Sequence, residues 1–163
     1  MSLFSCSIKD PKIYQNNSPK FDIRKYFNGK LEAYGAVKDW RGKITRRFHV
    51  TMVGKWQGNE GTLEEFFVFD DGEKQSRIWK LSVEDDHNFT GAAGDVVGKA
   101  KGVQYGNAVR MDYVLRTPVG KKTYDLTIED WLYLIDEKHL INESKIKKFG
   151  LTVGYLTIGF NKL

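Results

Sequence analysis

The sequence predicts an all-β protein: an antiparallel up-and-down β-barrel of about eight to ten strands with little helix. Three observations carry this. Apolar and polar residues alternate with period two along most of the chain. Glycine-bearing turns and short polar links interrupt that alternation at short intervals. No segment sustains the 3.6-residue periodicity of a substantial helix. With 163 residues the chain is long enough to bury one core.

Residues 1–20 read as a leader and tether. They are polar after Cys6, with Pro11, Pro19 and Asn16-Asn17. From Phe21 onward the pattern is uniform, so 21–163 is one barrel domain. Asp22–Phe27 predicts a brief helical turn with Asp22 at its N-cap. Strands follow at Lys30–Lys38, Ile44–Val53, Thr62–Phe69, Arg77–Val83, Asp95–Lys101, Asn107–Thr117, Lys122–Glu129, Trp131–Ile135, His139–Ser144 and Leu151–Asn161. Phe48, Val50 and Met52 share one strand face; Arg47, His49 and Thr51 share the other. A meander of consecutive hairpins closes readily into a barrel, because closure removes the exposed edges.

Composition narrows the function. The net charge is +5, modest and diffuse along the chain. It permits anionic partners without marking a nucleic-acid site, which would need aromatics interleaved with basic residues on one face. Arg46-Arg47-Phe48-His49 and Arg110-Met111-Asp112-Tyr113 are too short for that, so no nucleic-acid partner is expected. His49, His87 and His139 are far apart and lack metal-ligand spacing, so neither metal nor other cofactor is expected. Gly91 to Lys99 only superficially resembles a phosphate loop. Ala93 stands at the first glycine position and Ala100 where Ser or Thr is required. With one cysteine, an internal disulfide is excluded.

The informative feature is charge on apolar strand faces. Glu65 is in register with Leu63, Phe67 and Phe69. Arg77 is in register with Trp79, Leu81 and Val83. A three-residue loop at Asp71–Glu73 would pair Phe67 with Arg77 and Glu65 with Trp79, leaving Glu65 and Arg77 as diagonal neighbours. An unpaired charge inside the barrel would be costly. The pair is therefore either an interior ion pair that fixes register or a polar anchor for a ligand headgroup. Phe67, Phe69, Trp79 and Tyr113 could line a pocket or simply fill the core. The candidate ligand-binding residues are Arg47, Glu65, Phe67, Arg77, Trp79 and Tyr113. None is assigned a catalytic role.

Several ordered stretches carry a family resemblance: Phe21 to Gly29, Ala33 to Val37, Arg47 to Val50, Gly61 to Phe66, Asp71-Gly72-Glu73, Arg77-Ile78-Trp79, Asp95 to Ala100, Gly106-Asn107-Ala108 and Lys148-Phe149-Gly150. Across about Cys6 to Leu163 the chain resembles a bacterial envelope family filed as domain of unknown function 3833. The resemblance implies a lipoprotein with a calycin-type barrel, similar to lipocalins and fatty-acid-binding proteins, and no established activity. It makes Cys6 the lipidation residue. Leu3 and Ser5 match the lipobox pattern, and Phe4 departs from it. The charged segment and apolar run that precede the lipobox in the family are missing from this sequence.

The implied location is the periplasmic face of the Gram-negative envelope, anchored at the outer membrane. Ser7, after the cysteine, is compatible with that sorting. The expected partners are the membrane, through the lipid anchor, and a small hydrophobic or lipid-like ligand in the barrel. Two alternatives stand beside this. One is a non-catalytic envelope interaction or assembly protein with a filled barrel. The other, less favoured, is a barrel-interior hydrolase or isomerase using Glu65. The sequence leaves oligomeric state open.

Overall fold

A computed structural model of the chain describes residues 9–163. Ten antiparallel strands form a closed barrel: β1 (Gly29–Asp39), β2 (Ile44–Gln57), β3 (Glu60–Phe69), β4 (Lys74–Val83), β5 (Asn88–Ala92), β6 (Val96–Tyr105), β7 (Ala108–Val119), β8 (Lys122–Leu134), β9 (His139–Lys148) and β10 (Leu151–Lys162). Each strand pairs with its sequence neighbours, and β10 returns to pair with β1 from Leu31↔Lys162 to Asp39↔Gly154. The alternation sets the faces. Along β2, Phe48, Val50 and Met52 are buried inside the barrel while Thr51 and Val53 are exposed outside it.

The strand set differs from the sequence expectation in two places that offset each other. Lys122–Glu129 and Trp131–Ile135 are one continuous strand, β8. Asn88–Ala92 is an additional short strand, β5. Its five residues lie between an Asp-rich turn and two small residues, too short for alternation to stand out.

One end of the barrel is closed by a single helical turn, α1 (Ile23–Tyr26), capped by Asp22, whose carboxylate accepts from the Arg24 backbone N–H at 2.9 Å. Phe21, Ile23, Tyr26 and Phe27 are all buried, so α1 forms the floor of the interior. Its free carbonyls are satisfied by side chains from the barrel. Lys162 Nζ donates to the carbonyls of Lys25, Tyr26 and Asn28 at 2.6, 2.8 and 2.8 Å. Trp56 Nε1 donates to that of Phe27 at 3.0 Å. Gly54 permits this approach: a Cβ there would lie 1.7 Å from the Phe27 oxygen.

The segment before α1 is not a free tether over its described part. A 3₁₀ turn at Pro11–Tyr14 lies against the outer wall. Tyr14 packs edge-on against the outward rings of Trp131 and Tyr133, at centroid distances of 6.2 and 5.7 Å. Arg110 donates to the Lys9 carbonyl at 3.2 Å, and the Phe21 N–H to the Gly106 carbonyl at 2.6 Å.

Gly54→Ala forces the α1 carbonyl out of its seat. It should destabilise the protein by about 1–3 kcal/mol, the range of overpacking substitutions, read as a lower urea midpoint. An unchanged midpoint would show that the floor does not depend on this contact.

Candidate functional site

Above the α1 floor the barrel is hollow. A cavity of about 390 Å³ runs through its interior. That is within the roughly 300–1,000 Å³ typical of small-molecule sites. The filled-barrel arrangement is therefore not the one adopted. The wall is mainly apolar, with Val50, Met52, Leu63, Phe67, Trp79 and Met111 among its residues.

Polar groups break the apolar wall at mid-height. The β3–β4 hairpin closes through Asp70-Asp71-Gly72, with the Gly72 N–H on the Phe69 carbonyl at 3.0 Å and Gly72 at φ +87°. This loop has the expected three residues but starts one residue earlier. Glu65 consequently lies directly opposite Arg77, and Leu63 opposite Trp79. The shift in pairing is two residues, so the faces are unchanged. Glu65 Oε2 lies 3.5 Å from Arg77 Nη1. Arg77 gives its stronger bonds to Asp95, through Nε at 3.0 Å to both carboxylate oxygens and Nη2 at 2.7 Å to Oδ2. The guanidinium also lies 5.5 and 5.9 Å from the ring centres of Phe67 and Trp79.

Across the cavity stand Tyr113 of β7 and Asp130 of β8. Tyr113 meets Trp79 edge-on at 5.4 Å. Asp130 Oδ1 is buried and accepts no hydrogen bond from the described residues. Asn142 and Ser144, both buried on β9, lie near it, with Ser144 directly opposite in register.

Burial governs the charge state here. It pushes the Glu65 carboxyl up to about 7, and the pull of Arg77 only partly offsets this. Asp130 is raised by the same desolvation, against nearby Ser144, Tyr113, Asn142 and Arg77. The Tyr113 hydroxyl is driven well up by burial and then by Asp130. One guanidinium thus faces three carboxylates, two of which take up protons more readily than usual.

Of the candidate residues, the structure brings Glu65, Phe67, Arg77, Trp79 and Tyr113 to the cavity. It does not bring Arg47, which points outside, 72% exposed, and pairs with Asp70 at 2.9 Å. Arg46 takes the inward position at the mouth, bonded to Asp71 at 2.9 Å and Glu73 at 3.0 Å. This follows from strand parity, since Arg46 shares its face with Phe48 and Val50. Cys6 lies outside the described residues. The sequence reading missed Asp130 because it broke the strand there. The alternation Leu126, Ile128, Asp130, Leu132, Leu134 runs straight through and would have placed it inside.

The family profile described as "Protein of unknown function (DUF3833)" matches residues 1–162. The chain belongs to the DUF3833 family. No curated protein matches it in sequence. Among solved structures, this DUF3833 barrel is similar to the S-type phycobiliprotein lyase CPES from Guillardia theta. The TM-score is 0.59 at 8% identity, over 94% of this chain and 96% of that one. A second structure, EF1p2_mFAP2b bound to DFHBI, matches at a TM-score of 0.47 and 8% identity, over 87% of this chain and all of that one. At 8% identity the likeness to the lyase is one of fold alone, a closed antiparallel barrel.

Glu65 makes stability depend on pH with a definite sign. Its folded value of about 7 lies above its ordinary 4.5. Its contribution is therefore complete below about pH 4.5 and is lost as pH rises towards 7. Relative to Glu65→Gln, the wild type should lose a few kcal/mol across this window, since each tenfold change in proton affinity is worth about 1.4 kcal/mol. Parallel stability curves from urea titrations at several pH values would contradict this placement of Glu65.

Proposed function

We propose that this protein is a non-catalytic binding barrel that carries one small hydrophobic ligand. The cavity of about 390 Å³ is the observation that carries the reading. A large apolar interior with a few convergent polar groups is what small-molecule sites have in common. The apolar wall offers surface to a ligand, and the polar groups at mid-height can orient it.

The test uses the neutral fluorophore N-phenyl-1-naphthylamine. Saturable one-to-one binding is expected, and its loss in Met111→Trp and in Leu115→Trp, which fill the cavity from two positions on β7. Thermal unfolding checks that each variant folds. Absence of saturable binding to the wild type, or binding unchanged in a folded filled variant, would overturn the reading.

We further propose that the native protein works as an envelope lipoprotein, tethered through Cys6 at the periplasmic face of the outer membrane. Membership in DUF3833 and the Leu3 and Ser5 positions before Cys6 support it. Expressed from its native gene in a Gram-negative host, the protein should fractionate with the outer membrane, and Cys6→Ser should release it. A wild-type protein found in the soluble fraction would contradict the anchor.

A further inference from the structure

The interior polar cluster narrows the chemistry of the ligand, given a cavity that binds one. Its groups come from the arc of the wall between β3 and β9: Glu65 from β3, Arg77 from β4, Asp95 from the β5–β6 turn, Tyr113 from β7, Asp130 from β8, and Asn142 and Ser144 from β9. The one cation among these seven is already committed. Arg77 points Nε and Nη2 at Asp95 and holds Nη1 toward Glu65. What remains for a ligand is two acceptors and one donor: Glu65, Asp130, whose Oδ1 has no donor among the described residues, and the Tyr113 hydroxyl beside Asp130. At mid-height a carboxylate or phosphate head would meet Glu65 and Asp130 and displace the Arg77 contacts; the other cation lining the cavity, Arg46 at the mouth, is paired with Asp71 and Glu73 and keeps only its Nε without a partner among the described residues. A head that donates hydrogen bonds would meet two acceptors lacking a full set of donors.

We propose that the cavity selects an amphiphile whose head donates hydrogen bonds, a protonated amine above all, and seats that head between Glu65 and Asp130. The apolar remainder then lies along Val50, Phe67, Trp79 and Met111. Burial holds Glu65 near 7, so an amine should bind more tightly as pH rises through neutrality, where Glu65 ionises. A carboxylate should do the opposite.

Displacement of N-phenyl-1-naphthylamine by decylamine, decanol and decanoate tests this. Decylamine should compete at least tenfold better than decanoate at pH 7.5, with decanol between them. That advantage should fall several-fold in Glu65→Gln and further in the Glu65→Gln/Asp130→Asn double variant, with fluorophore binding retained. Decanoate equal to or better than decylamine would overturn the proposal while leaving the binding barrel intact. So would an amine advantage unaffected by either variant. Failure of the fluorophore itself to bind would overturn both.

The open end of the barrel carries a second, independent feature. Going around from β1 through β10, β9 and β8 to β7, the turns at this end expose Trp40, Val119, Phe149 and Leu151. Phe149 is 92% and Trp40 68% exposed. Arg41, Lys43, Lys121, Lys122 and Lys148 neighbour them in sequence. The acidic turn residues Asp70, Asp71 and Glu73 belong to the other half of the rim, where Arg46 and Arg47 pair with them; on the Trp40 side Asp39 pairs with Arg41 at 3.5 Å, which leaves Lys43, Lys121, Lys122 and Lys148 to supply the positive charge.

We infer that the Trp40–Phe149 half of the rim docks on a bilayer containing anionic lipid. Aromatic side chains flanked by lysines suit that interface, and the cavity mouth lies beside them. The protein should co-sediment with vesicles of 30% phosphatidylglycerol in phosphatidylcholine. Binding should fall at least tenfold in Trp40→Ser/Phe149→Ser and in 0.5 M NaCl. No sedimentation, equal sedimentation with pure phosphatidylcholine, or retention by the folded double variant would overturn this docking.

Discussion

Barrel closure is the constraint on which the rest of the structure depends. Pairing β1 with β10 removes both sheet edges and gives the chain an inside. About eight strands give a barrel just wide enough for side chains to fill. Ten make a wider ring, and although Trp79 and Tyr113 meet inside it, the inward residues leave a cavity of about 390 Å³. The cavity thus follows from strand number. The floor follows too, because a wide barrel must be closed by something. Here α1 does so, held by Lys162 and Trp56 from the strand ends and admitted by the missing side chain of Gly54.

A hollow interior changes what a buried charge means. In a packed core, Glu65, Arg77 and Asp130 would be a desolvation problem solved by pairing. Arg77 and Asp95 do solve it in that way, with a short multidentate contact that holds the β4 strand end to the β5–β6 turn. Glu65 and Asp130 are less completely satisfied. Register fixing and the proposed ligand anchoring, alternatives at the level of sequence, would fall here to neighbouring residues. Arg77–Asp95 serves the wall, while Glu65 and Asp130 face the space it encloses.

The barrel was legible because its cause is local: alternating side chains and turn residues are written along each strand. Parity carried the faces of Phe67, Trp79 and Tyr113 into the cavity even though the β3–β4 loop starts one residue earlier than expected, since the pairing moved by two. Residues fixed by distant partners were harder to read. Asp95 meets Arg77 only because β5 is too short to stand between β4 and the turn that follows it. Asp130 interrupts an apolar series, and the same polarity that makes it a candidate site residue made it look like a break between strands. Arg46 and Arg47 differ only by parity, and the strand face already assigned to Phe48 selects Arg46. Tyr14 could not be placed from its polar surroundings, since its partners Trp131 and Tyr133 are on β8.

The central claim is that the barrel is hollow and that its space receives an apolar molecule oriented by Glu65 and Asp130. A crystal structure of the protein purified from its native host without added detergent tests it most directly. The account predicts elongated density inside the barrel, with its apolar part against Phe67, Trp79 and Met111 and one polar atom within hydrogen-bond distance of Glu65 or Asp130. A barrel collapsed onto itself, with Trp79 and Tyr113 filling the interior, would contradict it. So would density whose polar end points away from both carboxylates.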